Sequence, residues 1–222
     1  MESQLHRYGD DPSQYGVLYG EGPVAVVIHG GFWKDQYGLD LMDRLCADLA
    51  SRGWAAWNIE YRRLGNGGGV PETLDDVSAA IDLLAELPVD RGRVVTIGHS
   101  AGGHLAAWAA TREHPRVAVT GVVSQAGALR LSDGVVDRFL GAHPTSVASP
   151  IERLPLGVPQ LLVHGEADDV VPPAQSTAYA EAAAAAGDEV DLVLRPGEDH
   201  FVHTDPSNAA WADVVGWLER FA

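Results

Sequence analysis

VVTIGHSAGGHLAAW, residues 94–108, joins an apolar, β-branched run to an Ala- and Leu-rich run through a serine fenced by Gly98 and Gly102. The first run reads as a strand and the second as a helix. Gly98-His99-Ser100-Ala101-Gly102 therefore matches GxSxG in the setting that gives the pattern meaning, a sharp strand-to-helix turn with the serine at its tip. On such a turn neighbouring backbone comes so close that a Cβ at either flank would clash, which is why glycines stand there. The N-terminus of the following helix then aims backbone N–H groups at a developing oxyanion. A plain turn with a serine helix cap is the competing reading, and the flanking strand and helix weigh against it.

A serine hydroxyl is a poor nucleophile until a base takes its proton, so the turn requires a histidine and a carboxylate to orient it. For this kind of turn the chain order is serine, acid, histidine, each on a loop after a strand. LLVHGEADDVVP puts Asp168 and Asp169 after one apolar run, and LVLRPGEDHFVH puts His200 after the next. Within each loop the choice stays open: Asp169 adjoins Asp168, and His203 rivals His200 or lines the substrate pocket. Glu198 and Asp199 read as surface charges.

HGGFW, His29 to Trp33, follows the first long apolar run, VAVVIHGG. Glycines there let the backbone approach a substrate oxygen and donate N–H groups. The expected oxyanion donors are the backbone amides of Gly31, Phe32 and Ala101, and Trp33 is expected to border the pocket.

The rest of the chain repeats the strand and helix alternation. Strand-like WAAWNIEYR, VTGVVSQAG, PQLLVHG and EVDLVLRPG interleave with helix-like GLDLMDRLCADLASRG, ETLDDVSAAIDLLAEL, AQSTAYAEAAAAAG and SNAAWADVVGWLERFA. Gly53 is the expected C-cap of the first of these helices, and Ser207 the expected N-cap of the last. This order predicts an open, mainly parallel α/β sheet with helices on both faces and ligands at the C-terminal strand ends. The least regular stretch, 127–157, holds a short helix around GVVDRFLG and reads as a small cap. In EYR, Glu60 to Arg62, a buried Glu–Arg pair is expected.

The length of 222 residues suits one domain, 1–222. A formal net charge of −16 repels nucleic acid and anionic membrane surfaces. The start lacks a secretion-signal pattern and no later run is long enough to span a bilayer, so a soluble, cytoplasmic protein is expected. Cys46, the lone cysteine, excludes an internal disulfide and a cysteine-based zinc site, and reads as core filler. His99 and His104 fit no helical metal spacing, and HExxH is absent, so no metal is expected. GNGGG, 65–69, lacks the Lys-Ser/Thr of a phosphate loop. The Trp-rich C-terminal helix buries itself either in the core or against a second copy, which leaves a homodimer open.

With HGGFW, GHSAGGHLAAW, HGEADDVVP and DHF in this order, the chain resembles the α/β-hydrolase superfamily over nearly its whole length. More narrowly it is similar to the small HGG-motif esterases, including the kynurenine formamidase (arylformamidase) type and related carboxylesterases and acylpeptide-cleaving enzymes. The resemblance implies the α/β-hydrolase fold, no cofactor, Ser100 as nucleophile and His200 as base. It also implies Asp168 as the acid, because the pattern HGxxDxxVP puts the acid at the first aspartate of the pair. Phe32 stands where the HGGG esterases have a third glycine, as in formamidase-like members. The segment before VAVVIHGG is short, so one or both of the leading strands are expected to be reduced. The expected chemistry is cleavage of a small ester or aryl amide through an acyl-enzyme. A peptidase-like hydrolase of short acyl-peptides, or a binding protein that keeps the fold without turnover, are the alternatives.

Overall fold

The computed structural model describes residues 3–132 and 135–221; residues 1, 2 and 222, and residues 133 and 134 of the expected cap, lie outside the described residues. Eight strands form one sheet: β1 (Ser3–Arg7), β2 (Tyr15–Tyr19), β3 (Pro23–Ile28), β4 (Ala55–Ile59), β5 (Asp90–His99), β6 (Gly121–Gln125), β7 (Gln160–Gly165) and β8 (Val190–Arg195). Their spatial order is β1-β2-β4-β3-β5-β6-β7-β8. From β4 to β8 every neighbouring pair is parallel, whereas β2 runs antiparallel to both β1 and β4.

The helices are α1 (Asp43–Ser51), α2 (Glu72–Asp82), α3 (Ala101–Ala109), α4 (Val135–Leu140), α5 (Ala174–Ala186) and α6 (Ala209–Leu218). The period-two geometry of a strand sends alternate residues of β3 to opposite faces. Val24, Val26 and Ile28 join Leu74, Leu105 and Tyr179 from α2, α3 and α5, while Ala25 and Val27 join Leu45, Leu49 and Trp211 from α1 and α6. Both faces of β3 are thus dry, which is why its sequence is a continuous apolar run rather than an alternating one. Leu45, Cys46 and Leu49 make the buried stripe of α1 at helical spacing; its C-cap is Arg52 rather than the expected Gly53, which follows at φ 86° and turns the chain out of the helix. Truncating Leu49 to alanine would cost about 2–5 kcal/mol by leaving a cavity there.

Strand order reverses between β3 and β5, because β3 leads to β4 on one side and β5 leads to β6 on the other. Their C-terminal ends therefore open a crevice, and HGGFW and Ser100 follow these two strands directly.

Two further expectations need correction. Both leading strands are present, five residues each, so the short N-terminal segment has not cost the sheet a strand. The N-cap of α6 is Asn208, not Ser207: the Asn208 Oδ1 accepts from the Ala210 N–H at 2.7 Å, while Ser207 hydrogen-bonds Asp205. Trp211 lies in the core, and Trp217 is half-buried against the same core with its Nε1 donating to Asp191.

Candidate active site

Ser100 is the single residue between β5 and α3, at φ 57° and ψ −120°, a left-handed backbone setting that costs roughly 1–3 kcal/mol in a residue with a side chain. Contacts on both sides hold it there: the Ser100 N–H donates to the Gln125 carbonyl at 2.8 Å, and its own carbonyl accepts from the His104 N–H at 3.1 Å. A Cβ on Gly98 would stand 2.0 Å from the Gly102 carbonyl oxygen, and one on Gly102 would stand 2.0 Å from that of Ile28. The two glycines answer to close backbone approach, since neither has a positive φ.

Asp168, at the start of the β7–α5 loop, is 6% exposed, whereas Asp169 is exposed. The Asp168 Oδ2 lies 2.7 Å from the His200 Nδ1 and 3.1 Å from the His164 Nε2; its Oδ1 accepts from the Val170 and Val171 amides at 2.9 and 2.8 Å. Burial opposes the charged carboxylate, but the bonds from His200, Val171 and Val170 outweigh it and hold Asp168 below the usual carboxylate range. A carboxylate only accepts, so the His200 Nδ1 carries a proton, and in the neutral ring the lone pair sits on Nε2. The same logic fixes His164, whose Nε2 also faces the Val171 carbonyl at 2.9 Å and so donates, leaving Nδ1 to accept from the Ser176 hydroxyl at 2.7 Å. Burial keeps His164 below the ordinary histidine range.

The HGGFW loop holds three consecutive left-handed residues: Gly31 (φ 108°), Phe32 (φ 55°) and Trp33 (φ 54°). It is pinned by Lys34 N–H to the Gly31 carbonyl (3.0 Å) and Leu64 N–H to the Trp33 carbonyl (2.7 Å). Beneath it, Glu60 accepts from the His29 Nε2 at 3.0 Å and the Leu39 and Tyr61 amides, with Arg63 at 3.2 Å, and the Tyr61 hydroxyl donates to the His29 carbonyl at 2.7 Å. The expected Glu–Arg pair of EYR is thus Glu60 with Arg63. Arg62 instead pairs with Asp76 across the loop. Among the described residues, the backbone N–H groups of Gly31, Phe32 and Ala101 have no protein acceptor.

His99, inside the GxSxG pattern, donates from Nε2 to the His200 carbonyl at 2.8 Å, tying the serine turn to the His200 loop. Burial, with His200 and His203 alongside, pushes its pKa down to about 3. His203 is fully buried, with its ring 5.9 Å from that of His99, and lines neither cavity at Ser100, which corrects its expected place in the substrate pocket. His104 donates to the Ala148 carbonyl and Trp108 to the Val147 carbonyl, so α3 anchors the base of the 127–157 segment. Among the described residues no cluster of His, Cys, Asp and Glu is arranged to hold a metal ion.

Two cavities meet at Ser100, sharing Phe32 and Val170. One, about 200 Å³, is lined by Gly31, Tyr37, Leu41, His99, His200 and Phe201. The other, about 130 Å³, is lined by Trp33, Ala101, Val136 and Val171 among others, so the 127–157 segment supplies part of its wall. Trp33 is 2% exposed and stacks on Phe139 of α4 at 4.5 Å. His164, Glu60 and Arg130 shape the site without having been singled out for it from sequence. His164 was within reach, lying four residues before Asp168 in the same motif.

A BD-FAE family model matches residues 18–182. Esterase LipC of Mycobacterium tuberculosis (strain ATCC 25618 / H37Rv) is 29% identical over 238 residues, covering 87% of this chain and 58% of LipC. The chain thus spans little more than half the length of that relative. A truncated carbohydrate esterase from gut microbiota superposes with a TM-score of 0.88 at 20% identity, over 99% of this chain and 96% of its own. Esterase 2 of Thermogutta terrifontis, phosphoramylated by tabun, gives 0.84 at 25% identity, over 99% and 93%.

Proposed function

Because the chain belongs to the BD-FAE family, an α/β-hydrolase type of domain, we propose that it is a serine hydrolase cleaving small carboxylic esters through an acyl-enzyme. The observation that carries this is the 2.7 Å His200–Asp168 pair whose imidazole shares one cavity with Ser100 on its strained turn. His200 Nε2 takes the Ser100 proton as Oγ attacks the ester carbonyl carbon. The oxyanion that forms is met by the unengaged amides of Gly31, Phe32 and Ala101. His200 then gives its proton to the departing alcohol, and water repeats the cycle on the acyl-enzyme. Asp168, charged because its bonds outweigh its burial, holds the ring in the working tautomer throughout.

Esters are favoured over aryl formamides by the esterase names of the similar proteins, LipC and the two solved structures. The chain works as one domain without a cofactor on this reading.

The test is kcat/KM for p-nitrophenyl acetate and for N-formyl-L-kynurenine on one preparation, with Ser100→Ala as the blank. Ester turnover that falls by about 10⁴-fold or more in the blank supports the reading. A blank that keeps most of the activity, or a fluorophosphonate that fails to label Ser100, overturns it. A formamide preferred by about two orders of magnitude, roughly 2.7 kcal/mol, would move the substrate to arylformamides.

A further inference from the structure

On the reading of Ser100 and His200 as an ester-cleaving pair, on which this inference rests, the two cavities divide the substrate between them. His200 must protonate the leaving oxygen, so the alcohol side occupies the cavity that His200 lines. The acyl chain leaves the carbonyl carbon in the other direction and enters the 130 Å³ cavity, which His200 does not line. That cavity is walled in part by Trp33, Val136 and Val171, and among the described residues its charged lining residue is Arg130.

Arg130 also lines a further opening of about 320 Å³ against α5, and Pro172 and Gln175 belong to both walls. Inner cavity and outer groove therefore meet at this arginine. Its backbone is clamped at both polar groups: the Arg130 N–H donates to the Gln175 Oε1 at 2.7 Å, and the Gln175 Nε2 donates to the Arg130 carbonyl at 3.1 Å. With both ends of the Gln175 amide used on the backbone, the exposed Arg130 side chain starts from a fixed point. Elsewhere in this acidic chain Arg62 is engaged by Asp76, Arg63 by Glu60 and Arg112 by Asp82. Among the described residues the Arg130 guanidinium has no carboxylate partner, and no acidic side chain lines either opening that it borders.

A planar guanidinium on an exposed side chain that borders the acyl cavity matches a carboxylate in geometry and charge. We propose that Arg130 binds an anionic group at the end of the acyl chain, so that the substrate is a hemiester of a short dicarboxylic acid.

The experiment compares monoethyl glutarate with ethyl pentanoate, which has the same chain with a methyl group in place of the carboxylate, by pH-stat at pH 7. The expected ratio of kcat/KM values favours the hemiester in the unaltered protein. It falls about tenfold in Arg130→Gln, survives largely in Arg130→Lys, and drops further in Arg130→Glu. A ratio that favours the pentanoate, or that is the same in the unaltered protein and Arg130→Gln, overturns the proposal while leaving ester hydrolysis standing. If neither ester is cleaved and a fluorophosphonate does not label Ser100, the ester-hydrolysis reading falls and the proposal with it.

Discussion

Gly102→Ala is a small change with a large expected effect. Its new Cβ would stand 2.0 Å from the Ile28 carbonyl oxygen and 2.6 Å from that of His29, where real Cβ contacts essentially never fall below 3.0 Å. Both clashes are with backbone, so no side chain can swing aside, and the start of α3 must separate from the end of β3 by about 1 Å. These are the two segments that carry the Ala101 and the Gly31 and Phe32 amides. A 1 Å misplacement of preorganised groups costs about 10²-fold in rate, roughly 2.7 kcal/mol of transition-state stabilisation. Overpacking adds about 1–3 kcal/mol of lost folding stability. The assay is kcat/KM for p-nitrophenyl acetate alongside a urea unfolding curve. Gly216→Ala is the control: it sits inside α6 with nothing within 4 Å of a new Cβ, and should stabilise the fold by about 0.5–1 kcal/mol. A Gly102→Ala protein with more than half of the original kcat/KM would refute the argument that backbone approach, rather than sequence habit, demands glycine here.

Asp168→Asn should lower kcat by about 10⁴-fold by releasing the tautomer of His200, whereas Asp169→Asn, on an exposed residue, should stay within a few-fold; equal losses would assign the acid wrongly. Tyr61→Phe leaves the buried His29 carbonyl without its donor and should cost about 1–3 kcal/mol in chemical denaturation. Acid should unfold the protein early, because burial holds His99 at about pKa 3 and His104 and His203 at about 4. An unfolded histidine titrates near about 6.5, so between there and pH 4 the unfolded chain binds more protons and stability falls as pH falls. Three such groups give a slope of about 4 kcal/mol per pH unit in the lower half of that window, and His104→Phe should remove about a third of it. A flat stability profile from pH 6.5 to 4.5 would contradict this.

Much of the site was legible because its logic is local. A strand, a glycine-fenced serine and a helix are contiguous in sequence, and so are the Asp168 and His200 loops with the strands that launch them. What escaped has non-local or weakly patterned causes. The edge strand β1, SQLHR, is almost wholly exposed and carries a single apolar residue, so nothing in its composition announces a strand. Arg62 and Arg63 are neighbours whose partners depend on which way each side chain leaves the β4–α2 loop: Arg62 reaches Asp76 on α2, while Arg63 turns back to Glu60 on the same loop. His203 follows His200 by three residues, but the short 3-10 turn from Val202 to Thr204 rotates it into the interior. Asn208 rather than Ser207 caps α6 because Ser207 is taken by Asp205. Arg130 gained meaning only when the β6 loop, α5 and Ser100 came together in space.

The last strand before His200, β8, pairs among the described residues with β7 alone and is half-exposed along its length. His200 is therefore mounted on the sheet's margin, tied inward by the Asp168 contact, the His99 bond to its carbonyl and the Gln125 bond to the His203 carbonyl. Marginal strands fray at a lower free energy than the interior of a sheet. Under rising denaturant the proposed ester hydrolysis should thus cease while Trp57 and Trp211, in the interior, still report an intact fold. Working life would then be governed by how often one strand lets go, rather than by how stable the whole molecule is.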